Sequence, residues 1–211
     1  MTGQLSDLRR EYNLETLDVS DVHTNPIQLL DDWTSRAREL SVIEANAMVL
    51  ATVDQHGHPS ARTVLLKELD EAGLVFYTNY ESRKGRDIAA NPNVAAVFTW
   101  LPLERQVRIE GRVERVSAEE SNAYFAIRPR GSQIGAAASP QSEPVPNRAW
   151  LEARFESLEA SGDPIVRPEN WGGYRIIPRM IEFWQGRPNR LHDRLRFDLT
   201  SEGWDVVRLA P

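Results

Sequence analysis

The sequence has no cysteine. Disulfides, thiolate nucleophiles and cysteine-ligated zinc are excluded at once. It also lacks any apolar run near the roughly 20 residues that a membrane helix needs, so no membrane association is expected. The opening M-T-G-Q-L-S-D-L-R-R-E-Y has no apolar core of a secretory signal, and together with the missing cysteines it points to a cytoplasmic address. Positive charge is not in excess: 25 Lys and Arg against 31 Asp and Glu leave a net charge of −6. General nucleic-acid binding, which draws its affinity from cations on phosphates, is disfavoured, and any anion site must be local. The four histidines, His23, His56, His58 and His192, offer no H-x-x-x-H pair, and no metal is expected. His56 and His58 flank Gly57 and read as exposed hairpin residues. There is no G-x-G-x-x-G and no alternation of strands with helices, which argues against a doubly wound dinucleotide fold. Repeats and low-complexity tracts are missing too.

What is present fits one globular domain with a full core: 211 residues, 41% hydrophobic and 27% charged. Residues 1–24 are polar and aperiodic and read as a mobile arm, with residues 25–211 as a single domain. Asn25-Pro26 starts a helix, with Asn as N-cap and Gln28 at the capping-box position. Ile27, Leu30, Trp33, Ala37 and Leu40 follow at helical spacing. Strands are expected at 47–53, 61–67, 74–79, 94–100 and 106–116, with three more in the C-terminal tail. The fifth alternates cleanly, Val107, Ile109, Gly111 and Val113 facing in. Ser82 caps a short helix, Ser117 with Glu120 forms a capping box, and a further helix spans about 147–160. The small-residue stretch G-S-Q-I-G-A-A-A-S-P-Q-S reads as irregular. Strands joined mostly by short turns, with helices inserted, predict a mainly β, α+β fold: an antiparallel barrel with peripheral helices.

Basic groups cluster in four places. Arg62 and Lys67 bound an apolar strand whose ends reach either water or an anion. Ser82-Arg83-Lys84 opens a helix; free backbone N–H groups beside two cations suit a phosphate, although those cations oppose the helix dipole. In R-P-R-G-S-Q, Arg128 and Ser132 follow Tyr124-Phe125, and the donors there form a second phosphate site or a surface loop. Finally, E-F-W-Q-G-R-P-N-R-L-H-D-R ends in a stretch that, as a strand, puts Arg190, His192 and Arg194 on one face. That row is a solvated face or, with Trp184 nearby, the wall of a site for a flat anionic ligand, Leu191 anchoring the strand in the core.

The block from Ile181 to Arg194 resembles the signature of pyridoxamine 5′-phosphate oxidases. L-R-R-E-Y, R-T-V-L-L-K, V-F-Y-T-N, S-R-K, L-E-R-Q-V, R-P-R-G-S-Q-I-G, S-P-Q-S, W-G-G-Y-R and the terminal R-L-A-P agree with that family in order and spacing. The resemblance implies an FMN-binding split barrel, homodimeric, with the flavin at the subunit interface. The implied reaction oxidises pyridoxamine or pyridoxine 5′-phosphate to pyridoxal 5′-phosphate, with O2 reduced to H2O2. By the same resemblance, Arg62, Thr63, Val64, Leu65, Leu66 and Lys67 line the FMN, and Lys67 also reaches the substrate. Tyr77, Thr78, Arg83 and Lys84 hold flavin ring and phosphate, aided by Gln106, Gln141, Ser142, Trp184 and Arg194. Tyr124, Arg128 and Ser132 cradle the substrate phosphate. Arg190 and His192 are the implied catalytic pair facing the pyridine beside Leu191, and Arg9, Arg10, Glu11 and Tyr12 close over it. Ala136-Ala137-Ala138, Pro140 and Thr63 depart from the family pattern and put local packing in question. Two rivals stand beside this reading: another split-barrel flavin reductase, and a non-catalytic carrier of FMN or pyridoxal phosphate.

Overall fold

A computed structural model describes residues 10–211. Arg9 and the rest of the arm's first nine residues lie outside the described residues. The elements are helix α1 (Pro26–Glu39), strands β1 (Ala47–Val53), β2 (Pro59–Leu65), β3 (Glu68–Asp70) and β4 (Gly73–Asn79), helix α2 (Arg83–Ala90), strands β5 (Asn93–Trp100) and β6 (Arg105–Arg115), helices α3 (Ala118–Ile127), α4 (Arg130–Ala138) and α5 (Arg148–Ala160), and strands β7 (Trp171–Gln185), β8 (Asp193–Thr200) and β9 (Gly203–Arg208). The strand order is β2-β1-β5-β6-β7-β4-β3, with β8 pairing β7 and β9 pairing β8. β7 is long enough to pair antiparallel with β4 through Trp171–Ile176 and with β8 through Met180–Gln185.

Contacts divide the described residues into two compact units, residues 10–49, 95–110 and 178–211, and residues 50–94 and 111–177. Every boundary falls inside a strand. In the first unit, α1 forms as its sequence dictates: Asn25 Oδ1 accepts from Ile27 N at 2.9 Å, and Pro26 occupies the first turn. Its buried face is anchored by Trp33, edge-on to Phe183 at 5.1 Å and Trp100 at 6.4 Å. Trp100 is 2% exposed and its indole N–H donates to Ala45 O at 2.8 Å, so the largest core side chain leaves no polar atom unmet. In the second unit, Leu74, Val75 and Phe76 are wholly buried on β4, and Phe125 packs edge-on to Trp171 at 5.1 Å. The capping box of Ser117 and Glu120 is present, and Ser82 and Asn147 cap α2 and α5.

Three local expectations need correction. Residues 130–138 form α4 instead of an irregular loop: Ala and Gln are strong helix formers, and the Gln133 amide donates to the carbonyls of Phe125 and Arg128 at 3.1 Å, satisfying the end of α3. A short strand, β3, pairs Glu68–Asp70 with Gly73–Val75 in a hairpin whose Asp70 carboxylate receives the Ala72 and Gly73 N–H groups. The third concerns the C-terminal cations. Arg190 sits not in a strand but in a 3-10 turn, Pro188–Arg190, with positive φ at Asn189 (55°) and Arg190 (61°). The strand begins only at Asp193, so period-two alternation does not govern residues 190–192, and Leu191 is 69% exposed and anchors nothing.

His56 and His58 lie in the β1–β2 turn, where the Asp54 carboxylate receives both their backbone N–H groups and Gly57 has φ 85°. Those hydrogen bonds, His58's first, hold the Asp54 pKa below the ordinary carboxylate value. Among the described residues no cluster of metal-ligating side chains occurs, and no helix is long and apolar enough to cross a membrane.

Candidate active site

A cavity of about 740 Å³ opens in the second unit. β2 supplies Arg62, Thr63, Val64 and Leu65 to it, and Lys67 follows; Leu66 turns into the core at 6% exposed. β4 adds Tyr77 and Thr78, and the first turn of α2 adds Arg83 and Lys84. Tyr124 of α3, Arg128, Ser132 of α4, Gln141 and Ser142 complete the predicted set lining it.

The charges in this cavity are arranged for an anion. Lys84 is 7% exposed, yet among the described residues its ammonium meets neutral oxygens only: Thr78 Oγ1 at 3.1 Å, Ser82 Oγ at 3.2 Å and Gln141 Oε1 at 3.4 Å. Burial, and then the nearby Arg62 charge, lowers its pKa to about 8. Arg62 is lowered by burial and by Arg83, while Asp87 works the other way from 3.7 Å. Arg62 thus lies within electrostatic reach of both Arg83 and Lys84, with the Asp87 carboxylate beside it. Arg128 forms a second centre. Its guanidinium lies 4.6 Å from the Trp171 ring, burial lowers its pKa, and its Nη1 is buried without a hydrogen-bond partner among the described residues. A buried guanidinium donor aimed at nothing is costly unless a ligand meets it.

Aromatic rings give the cavity its flat wall. Tyr77 stacks on Tyr124 at 3.9 Å and 14°, and on Trp171 at 5.6 Å and 13°. Tyr77 is fixed by donating its hydroxyl to Glu68 Oε1 at 2.8 Å; burial first, and then that bond, pushes its pKa well up, so it stays protonated. Gly173 admits the Tyr77 ring: a Cβ there would stand 2.8 Å from Tyr77 Cε1.

A second cavity, about 750 Å³, belongs to the first unit and is lined by Arg10, Glu11, Tyr12, Trp184, Arg187, Asn189, Arg190 and His192. The arm residues and the proposed catalytic pair therefore share one cavity, as does Trp184, which was expected beside the flavin set. His192 lies 4.6 Å from Trp184, ring to ring, and accepts the Arg187 backbone N–H at Nδ1 (3.1 Å). Nδ1 is thereby committed as an acceptor, and the neutral ring carries its proton on Nε2. Burial, and then the Arg190 charge, lowers the His192 pKa, which favours the neutral ring with its Nε2–H free to donate. Gln106 and Arg194 line neither cavity. Arg194 donates from Nε to Glu182 Oε1 at 2.7 Å and from Nη1 to Ala210 O at 2.8 Å, a tie between β8, β7 and the C-terminus.

Comparison with protein-family models matches residues 34–162 to "Pyridoxamine 5′-phosphate oxidase" and residues 171–211 to "Pyridoxine 5′-phosphate oxidase C-terminal dimerisation region". The chain belongs to the pyridoxamine 5′-phosphate oxidase family. Relatives agree over the full length. Proteins named pyridoxine/pyridoxamine 5′-phosphate oxidase from Burkholderia mallei and Paraburkholderia phytofirmans are 54% and 53% identical, each covering 98% of this chain and 99% of the relative. Among solved structures, PhzG from Burkholderia lata 383, in complex with tetrahydrophenazine-1-carboxylic acid, superposes with TM-score 0.90 at 30% identity, covering 94% of this chain and 99% of that one. A pyridoxamine 5′-phosphate oxidase-related, FMN-binding protein from Nostoc punctiforme gives 0.72 at 18% identity, covering 93% and 100%, which fixes the mainly β split-barrel fold. Family membership supports FMN as the cofactor, and the donor set fits it: a buried ammonium held by neutral oxygens, a guanidinium nitrogen without a hydrogen-bond partner among the described residues and a stacked aromatic wall suit a phosphorylated flat ring.

Some supporting residues escaped the sequence reading. Asp87 accepts from Thr52 Oγ1 at 2.7 Å, Thr52 receives Arg62 Nη1 at 2.7 Å, and the pair aims the guanidinium. Glu68 aims Tyr77, and Arg187 sets the His192 tautomer. Asp87 lies five positions after the Ser82 cap, near the turn bearing Arg83 and Lys84, which is the signal that could have singled it out.

Proposed function

We propose that this chain is an FMN-dependent oxidase that converts pyridoxamine or pyridoxine 5′-phosphate to pyridoxal 5′-phosphate and passes the electrons to O2, giving H2O2. The observation that carries the reading is the pair of separate cation centres in one cavity: Arg62, Arg83 and Lys84 in one, Arg128 in the other. Two phosphates account for both, one on the cofactor and one on the substrate. Lys84, Arg62 and Arg83 hold the FMN phosphate, with Thr78, Gln141 and Ser142 as neutral donors and acceptors around it. Lys67, Tyr124, Arg128 and Ser132 grip the substrate phosphate. Arg190 and His192 line the other cavity, so in this reading they address the pyridine ring and its 4′ substituent across the homodimer, one subunit's second cavity facing the other's first, His192 as a donor from Nε2 and Arg190 as the fixed positive charge. FMN supplies the hydride-accepting centre, while the protein's share is orientation and electrostatics. The match to a dimerisation region supports a homodimer; in this reading the flavin lies at the subunit interface.

The likeness to PhzG supports a second reading, oxidation of a reduced tricyclic acid that carries no phosphate. The family names of the full-length relatives favour the first; Arg128 does not separate the two, because a guanidinium pairs with a carboxylate as it does with a phosphate, and the choice of substrate decides. Purified protein is expected to be yellow, to consume O2 on adding pyridoxine 5′-phosphate in air, and to form pyridoxal 5′-phosphate in equal amount. Colour without turnover favours the carrier; turnover of tetrahydrophenazine-1-carboxylic acid alone favours the second reading.

A further inference from the structure

One buried carboxylate outside the proposed chemistry organises the second cavity. Glu104 follows a 3-10 turn at Leu101–Leu103 and adopts φ 54°, a left-handed conformation that a residue with a side chain seldom takes without compensation. Its side chain is 1% exposed. Oε2 accepts the backbone N–H groups of Asn13 at 2.8 Å and Leu14 at 3.1 Å, and Oε1 pairs with Arg10 Nη2 at 3.2 Å. Its carbonyl is held from the other side, by Gly186 N at 2.7 Å and Gln185 Nε2 at 3.3 Å. One residue therefore ties the segment 10–14 to the end of β7, the strand that presents Trp184.

Tyr12 lies between those tethered positions. It stands edge-on to Trp184 at 5.7 Å and to His192 at 5.7 Å, and it is so close to Gly186 that a Cβ there would lie 2.8 Å from Tyr12 Cβ and 3.0 Å from Glu104 Cβ. Arg10, Glu11 and Tyr12 face the same cavity as Arg190 and His192. Neighbouring ties run further along the segment, from Arg105 to Glu15, from Arg187 to Glu15 O and from Leu17 N to Asp193, so the loss of Glu104 frees residues 10–14 in particular.

We propose that Glu104 is the positioning residue of the substrate site: its carboxylate fixes residues 10–14 so that Tyr12 and Arg10 form one wall of the cavity that holds Arg190 and His192. The proposal rests on the functional reading above, and wild-type turnover of pyridoxine 5′-phosphate, measured first, tests that reading alone. Glu104→Gln keeps the shape but offers a single acceptor oxygen and no charge. In the holoenzyme it is expected to raise the KM for pyridoxine 5′-phosphate about tenfold or more, with kcat at saturation within about threefold of the parent. Hydrogen exchange at the Asn13 and Leu14 amides is expected to quicken about tenfold or more, because those protons lose their charged acceptor. Bound FMN and melting temperature are expected to stay at parental values, which separates positioning from general destabilisation. Glu104→Asp, which keeps the charge and withdraws it by one methylene, is expected to show the same signature at smaller size, and it decides the matter if the Gln variant does not fold. An unchanged KM in an active enzyme, unchanged exchange at residues 13 and 14, or parallel loss of FMN and kcat overturns the proposal.

Discussion

Replacing Arg190 with alanine lowers turnover of pyridoxine 5′-phosphate about a hundredfold or more while FMN affinity stays within about threefold of the parent. The split follows from where the side chain stands. Arg190 lines the cavity of Tyr12, Trp184 and His192, whereas the cation cluster assigned to the FMN phosphate lines the other. Lysine is not expected to rescue it, since an ammonium lacks the planar fork and the positive φ at 61° fixes the direction in which the side chain leaves the backbone. The same substitution removes the second of the influences that lower the His192 pKa, so the ring's pKa moves back up toward the ordinary value. Turnover and FMN binding measured on one preparation check the prediction; equal loss of both contradicts it.

Lys84→Met is expected to do the reverse, weakening FMN retention about tenfold to a hundredfold without unfolding the apoprotein. Without a bound anion the buried ammonium is a liability. Its pKa is lowered to about 8 from a model-peptide value of 10.5, a cost to the charged form on the order of 3 kcal/mol. The sign of the pH dependence follows. Below about pH 8 the lysine is charged in both folded and unfolded chains and the full penalty applies. Between there and its unfolded value the unfolded chain holds more protons, so apoprotein stability rises with pH. FMN affinity runs oppositely, falling above about pH 8 as the apoprotein's Lys84 loses its proton. In Lys84→Met both slopes should flatten and apoprotein stability at pH 7 should match or exceed the parent. Calorimetry and flavin titration across pH check this; a parental pH slope of FMN affinity in the variant contradicts it.

Much of the fold was legible because local chemistry and global packing agree. The Asn25-Pro26 start, the Ser117–Glu120 box and the alternation along β6 each specify an element without tertiary help. The 62–67 run reaches the cavity as a block, Arg62 to Leu65 and Lys67 lining it, but β2 ends at Leu65 and the lining residues do not alternate, so the pleat alone does not place them. What was not legible depends on contacts far along the chain. The turn Pro188–Arg190 breaks an apparently alternating pattern because Asn189 and Arg190 take left-handed backbone, and no period in the sequence announces that. Helix α4 hides in small residues until the Gln133 amide is seen capping α3. Glu104, 90 positions away from Leu14, becomes visible only when the arm is laid beside it. Most site residues drawn from quoted blocks fell into two cavities, and Gln106 and Arg194 into neither, a division that spacing along the chain does not encode.

The most direct test of the account is anaerobic. Purified protein, loaded with FMN and held free of O2, is mixed with pyridoxamine or pyridoxine 5′-phosphate while the visible flavin absorbance is followed. The account predicts that the yellow colour bleaches, that pyridoxal 5′-phosphate appears in amount equal to the flavin, and that admitting O2 restores the colour. It also predicts that unphosphorylated pyridoxine bleaches the flavin far more slowly, because it leaves Arg128 unmet. Flavin that stays oxidised with the phosphorylated substrates, or that bleaches equally with and without the phosphate, contradicts it.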